Sequence, residues 1–183
     1  VIESKVRRHQ AGNDPAMQDP LLFTLTVLAI LGTPGPTNTL LATASALVGV
    51  RRSLPLILAE LSGYLLAIAV LHAVFGSLLA QHPAIATVLR ALVAVYLLAA
   101  AYEVWNRREV LGGPPSGIRF ERVFVTTLLN PKAIVFAFGV MPLSAPNAVV
   151  YVLGFAGFVV VAALPWIALG ALVGRAARPT SRA

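Results

Sequence analysis

The sequence predicts an all-α, polytopic membrane helix bundle. About five transmembrane helices are expected, two of them broken, in a partial three-plus-three inverted repeat. Three observations predict this. Of the 183 residues, 58% are hydrophobic and only 11% charged, with a mean hydropathy of +0.83; a soluble domain carries about twice that charged fraction. The apolar residues fall into runs separated by short basic or polar stretches, each near the roughly 20 residues a helix needs to cross a bilayer. Two of these runs are interrupted near their middles by proline beside asparagine, at Gly32–Asn38 and at Asn130–Lys132.

Residues 1–16 are polar, carry Lys5, Arg7 and Arg8, and contain no apolar stretch. They lack the apolar core and small-residue cleavage site of a signal peptide. Residues 1–19 read as a disordered N-terminal extension, with Met17 a candidate start; 20–175 form the membrane domain and 176–183 a short tail. The first segment, Leu21–Val50, has no charged residue. As one straight helix it would be about 45 Å long, against a hydrocarbon core of about 30 Å. A break at Pro34–Pro36 accommodates the excess. The second segment runs from Leu54 to about Ala80 and contains Glu60; a turn with His82 and Pro83 follows. The third runs from Ala84 to about Trp105 and contains Arg90, with Tyr102 and Trp105 suited to its interfacial end. Asn106–Arg122 is a loop, because Gly-Gly-Pro-Pro at 112–115 prevents helix. The fourth segment is Val123–Leu143, interrupted at Asn130–Lys132, and the fifth is Ala148–Val173, with Pro165 inside it.

The arginines set the orientation. Arg51 and Arg52, then Arg107, Arg108, Arg119 and Arg122, then Arg175, Arg178 and Arg182 follow the first, third and fifth segments, whereas the other connections lack lysine and arginine. The positive-inside rule places these basic stretches and the C-terminus in the cytoplasm. The net charge of +7 therefore reads as topology, not as a nucleic-acid surface. With no cysteine and three scattered histidines, thiol chemistry and a metal centre are excluded. No phosphate-binding loop or nucleophile motif is present, so neither an enzyme nor a cofactor is expected.

The two interrupted segments lie three segments apart and enter from opposite sides. Paired breaks in corresponding halves point to a transporter's binding site. Depth agrees: Pro34 lies about 20 Å from the outer end of its segment and Lys132 about 13 Å from the inner end of its own, both near the midplane. A single proline kink is tolerated in membrane helices; two matched clusters, each with an amide, argue for a site. Glu60 lies about 4 to 5 Å in depth from Lys132. It is a ligand for a substrate ammonium group, a proton carrier, or half of a structural pair with Lys132. Tyr64, four residues on, shares its helix face. The candidate substrate-binding residues are Pro34, Gly35, Pro36, Asn38, Glu60, Tyr64, Asn130, Pro131 and Lys132. Gly170 and Gly174 form a GxxxG pair suited to close packing within the bundle or to a homodimer, and His72 reads as a bundle histidine.

Two of these stretches carry a resemblance. Thr33-Pro34-Gly35-Pro36-Thr37-Asn38-Thr39-Leu40, followed by Gly49-Val50-Arg51-Arg52, resembles the amino-terminal signature of the LysE/RhtB family of amino acid exporters. Leu129-Asn130-Pro131-Lys132-Ala133 resembles its second signature, and Met141-Pro142 also fits. The similarity spans about residues 20–175. It implies a cytoplasmic-membrane carrier that exports amino acids or similar small metabolites, driven by an ion gradient and usually built of six helices. Here Thr37 intervenes before the asparagine that commonly follows Pro-Gly-Pro directly. Glu60 is not part of the signature, and a sixth helix is not evident after the fifth segment. A dimer would supply the missing wall. The alternative is a non-transporting membrane component that assembles with or regulates a partner.

Overall fold

The computed structural model describes residues 19–81 and 118–177, together with the isolated positions 84, 87, 88, 91 and 95. The expectations for the N-terminal extension, for most of the third segment with Arg90, for the Gly-Gly-Pro-Pro loop and for the end of the tail lie outside the described residues. What is described is all helical.

Helix α1, Pro20–Gly32, begins where Asp19 accepts hydrogen bonds from the N–H groups of Leu21 (2.8 Å) and Leu22 (3.3 Å). Pro20 then occupies the first helical position, where a missing N–H costs nothing. The helix stops because two prolines follow closely. A residue before proline is driven out of the α region, and both such residues, Thr33 (ψ 141°) and Gly35 (φ −170°, ψ 173°), are extended. Helix α2, Pro36–Val48, restarts with Pro36 at its first position, bent by 60° from α1. Gly49, at φ +83°, ends it in a conformation that side chains resist. The short α3, Val50–Ser53, runs on into α4, Pro55–Gln81. Further along the chain, α5 covers Phe120–Leu128 and α6 covers Pro131–Val135; a π-helical turn, Phe136–Val140, continues α6. The axis bends by 47° between α5 and this second part. Helix α7, Ala148–Ala176, passes through Pro165 without breaking.

Val50–Gly76 and Ala148–Ala176 are each long and apolar enough to cross a membrane, and the two bent pairs bring the total to as many as four spans among the described residues. The chain is a multi-pass membrane protein. Its exposed surface agrees: Leu21, Leu25, Leu58, Val149, Leu153 and Leu172 are all more than half exposed. In water this would be a large aggregation-prone surface; in a bilayer it is the lipid face.

Two segments differ in their bounds from the sequence expectation. The fourth segment starts a turn earlier than Val123, at Phe120, and leaves the helix at Met141, which Pro142 holds extended. The fifth continues past Val173 to Ala176, since Gly174 and Arg175 do not prevent helix.

Helix α7 packs along α2, and α4 along α5. Glycines set both approaches. A Cβ on Gly170 would lie 1.9 Å from the carbonyl oxygen of Ala42, and one on Gly174 would lie 2.3 Å from that of Ala46. Gly63 of α4 likewise sits against Thr127 and the Phe124 carbonyl of α5. The GxxxG pair is therefore spent on packing inside the bundle. The apolar interior divides in two. One cluster joins Phe23, Val27 and Leu31 of α1 with Tyr64, Phe136, Phe155 and Val159. The other joins Leu41 and Ala44 of α2 with Leu56, Ile57, Val123 and Ile167. The first lies before the α1–α2 break and after the α5–α6 break; the second lies on the other side of both. The second is the basic end, where Arg51, Arg52 and Arg175 converge and α5 begins beside Arg119 and Arg122.

Candidate functional site

Between the two apolar clusters lies a layer of buried polar side chains: Thr37, Asn38, Glu60, Thr127, Asn130 and Lys132, each 7% exposed or less. All come from the two breaks or from α4 and α5 beside them. Polar groups at such depth require partners, because water is not there to bond them. Most of the layer is accounted for by this requirement.

The first break frees the last carbonyls of α1. The Thr33 N–H bonds the Ala29 carbonyl (3.2 Å), and the Thr33 hydroxyl donates to that of Ile30 (2.6 Å). Asn38 reaches back from the first turn of α2, its Nδ2 donating to the carbonyls of Leu31 and Thr33, both at 2.8 Å. Lys132 crosses from the other break and donates from Nζ to the same Thr33 carbonyl at 2.7 Å. An ammonium group at the C-terminal end of a half-helix also meets the negative end of its dipole. Gly35 makes room for it: a Cβ there would lie 3.4 Å from Lys132 Cε and Nζ.

At the second break, Asn130 caps α6, its Oδ1 accepting from the Lys132 N–H at 3.0 Å. Its Nδ2 donates to Thr37 Oγ1 at 3.1 Å and lies 3.5 Å from the Tyr64 hydroxyl. Thr37 and Thr127 hydroxyls are 3.1 Å apart, and Thr127 Oγ1 donates to the Val123 carbonyl at 2.8 Å. A hydroxyl has one hydrogen to give. Thr127 has used its own on Val123, so Thr37 must donate to Thr127. The chain is thus directed from Asn130 through Thr37 and Thr127 to the Val123 carbonyl, and it ties α2 to both halves of the second broken span.

Glu60 is the exception to this satisfaction. It is 2% exposed, and its Oε2 has no hydrogen-bond partner among the described residues. The ion pair with Lys132, one of the readings open for Glu60, is not formed here: no contact within 4.0 Å joins them, and the Lys132 ammonium is engaged by Thr33. Matching depth fixes only one coordinate of a side chain, and a carbonyl at the freed helix end is nearer to hand. On the side of the layer away from the basic end stand three rings. Tyr64, Phe136 and Phe155 meet edge to face with centroids 4.8 to 6.0 Å apart.

Of the nine residues expected at the site, Lys132 lies against Gly35, shares the Thr33 carbonyl with Asn38 and is capped by Asn130, which reaches Tyr64; Glu60 is one turn from Tyr64 on α4. Pro34 and Pro36 are exposed; with Pro131 they shape the backbone rather than line the layer. Thr33, Thr37 and Thr127 were not expected there. Thr37 alone carried a signal, as the residue that departs from the signature. His72 is half-buried on α4, its ring lying over Gly76. Among the described residues no cluster of histidine and acidic side chains could hold a metal ion.

The LysE type translocator family model matches residues 28–183, which includes both breaks and everything in the polar layer. Neither a curated protein nor a solved structure matched the chain.

Proposed function

The chain belongs to the LysE type translocator family, and from that premise we propose that it exports an amino acid or a similar small zwitterion across the bacterial inner membrane by alternating access. The C-terminus and the arginine-rich end would face the cytoplasm. The observation that carries the site assignment is the Glu60 carboxyl, buried in the layer between the two broken spans, whose Oε2 has no hydrogen-bond partner among the described residues. An acidic group in the middle of a membrane helix costs about 3 kcal/mol on insertion scales. A group retained at that cost with an open hydrogen-bonding oxygen is suited to a ligand: the substrate ammonium group or a coupling proton.

The rest of the zwitterion has complementary partners nearby. The N–H groups of Thr37 and Asn38 begin α2 without helical acceptors, and Lys132 uses one of its three donors on Thr33. Together they suit a carboxylate at the positive end of a half-helix. The edge-to-face rings of Tyr64, Phe136 and Phe155 would serve as the outer gate. Rocking of the two halves would exchange the Thr37–Thr127, Asn130–Thr37 and Lys132–Thr33 bonds for others as access alternates.

The test is efflux of labelled amino acids from loaded proteoliposomes. Glu60→Gln and Lys132→Ala are each expected to slow efflux about tenfold or more, the loss of a charged hydrogen bond to substrate being worth at least about 1.5 kcal/mol. Unchanged efflux in both variants would remove these residues from the mechanism. Resistance of an overproducing strain to one inhibitory amino acid identifies the substrate.

A further inference from the structure

A second site lies at the basic end, apart from the polar layer. It is a groove of about 430 Å³ between the turn joining α2 to α3 and the last turns of α7. Arg51 and Arg52 enter it from one side and Arg175 from the other, with Gly49 shaping its edge. Its walls are close-packed, since Gly174 brings α7 against the Ala46 backbone. Among the described residues none of the three guanidinium groups meets a carboxylate within 4.0 Å or donates a hydrogen bond. Ser45 also lines the groove, and its hydroxyl, on a residue 1% exposed, has no hydrogen-bond partner among them either. Three like charges and an unpartnered hydroxyl around one concave surface are an arrangement completed by an oxyanion. Phosphate suits it, because each guanidinium presents a planar fork of donors.

The surroundings say where that phosphate comes from. Val48 and Val50 line the groove, and Leu47, Leu172 and Val173, each next in sequence to a lining residue, are exposed apolar side chains too, at the end of two membrane-crossing helices. A ligand that fits has an anionic head and an apolar body. We propose that this groove binds the headgroup of an anionic phospholipid, with its phosphate on Arg51, Arg52 and Arg175 and its acyl chains along the apolar flank. The ligand would bridge the α2–α3 turn to the end of α7. This assignment is independent of the transport reading, since it rests on none of the residues of the polar layer.

The experiment is lipid retention. Full-length protein is reconstituted in vesicles of equal phosphatidylglycerol and phosphatidylcholine, extracted in mild detergent, and its bound lipid counted by native mass spectrometry. Phosphatidylglycerol should be retained over phosphatidylcholine by about tenfold or more, three arginines near a lipid phosphate each adding to the preference. The triple variant Arg51→Gln, Arg52→Gln, Arg175→Gln should lose that preference. Because removing arginines also weakens topology signals, Ala171→Leu provides a second arm: it narrows the groove with every charge in place and should lower retention in protein that still elutes as one species. Equal retention of both lipids by the unaltered protein, or an undiminished preference in both variants, would overturn the proposal. So would displacement of the lipid by inorganic phosphate, which would reassign the groove to a free anion.

Discussion

Thr37 holds the two broken spans together through one hydroxyl. It accepts from Asn130 and donates to Thr127, so replacing it leaves an unmet donor on one side and an unmet acceptor on the other. In membrane proteins such pairs average about 0.6 kcal/mol in double-mutant cycles and reach about 1.7. Thr37→Val is expected to lose about 1 kcal/mol of stability against denaturation of the purified protein in mixed micelles, while Thr37→Ser, which keeps the hydroxyl, loses little. Paired with Thr127→Val, the cycle should return a coupling near the 0.6 kcal/mol average. A Thr37→Val protein as stable as Thr37→Ser would mean that the hydroxyl contact is incidental. This residue also marks the limit of what sequence can give. Thr24, Thr39, Ser62 and Thr127 each bond a carbonyl four residues back in their own helix. That is the default for a hydroxyl in a membrane helix, so its presence does not reveal which one also reaches a neighbour. Glu60 and Lys132, by contrast, were conspicuous as intramembrane charges. Their separate fates were not: helix rise gives depth and leaves rotation about the axis undetermined.

At the scale of the helices, the breaks were legible because proline acts locally. It removes its own N–H and biases the residue before it to extend, as Thr33, Gly35, Asn130 and Met141 do, while Leu54 before Pro55 stays helical. The partner of each helix was less legible, because apolar residues cover every face of a membrane span and no hydrophobic stripe points inward. Glycines carry that information instead, and they are not equivalent. On α7, Gly157 has nothing within 4 Å of a would-be Cβ, whereas Gly170 would strike the Ala42 carbonyl at 1.9 Å. A backbone atom cannot swing aside as a side chain does. Gly157→Ala should therefore be neutral or stabilising by up to about 1 kcal/mol, the helix-propensity difference between the two residues. Gly170→Ala must push α7 off α2 and should lose about 1 to 3 kcal/mol, as overpacked cores do. Thermal unfolding in one detergent compares them directly. Equal melting temperatures would show that α2 and α7 do not approach as closely as the geometry requires.

At the largest scale, the described residues gather two bent spans and two straight ones about a buried polar layer, with the Tyr64, Phe136 and Phe155 rings on one side and the arginine-rich end on the other. The proposed alternating access would need these spans to move relative to one another, and the Thr37–Thr127 contact joins them. The chain has no cysteine, so a pair introduced there reports without background. With hydroxyl oxygens 3.1 Å apart, Thr37→Cys with Thr127→Cys places two sulfurs within reach of a disulfide after small side-chain rotations. Oxidation should fix α2 to α5, stop efflux from proteoliposomes, and leave binding of the substrate to the locked state measurable. Reductant should restore efflux. Each single-cysteine variant controls for loss of the hydroxyl, since it lacks the same hydrogen bond but cannot cross-link. Full efflux with the cross-link complete would mean that the two broken spans move as one body, and the moving boundary would then have to be sought elsewhere in the bundle.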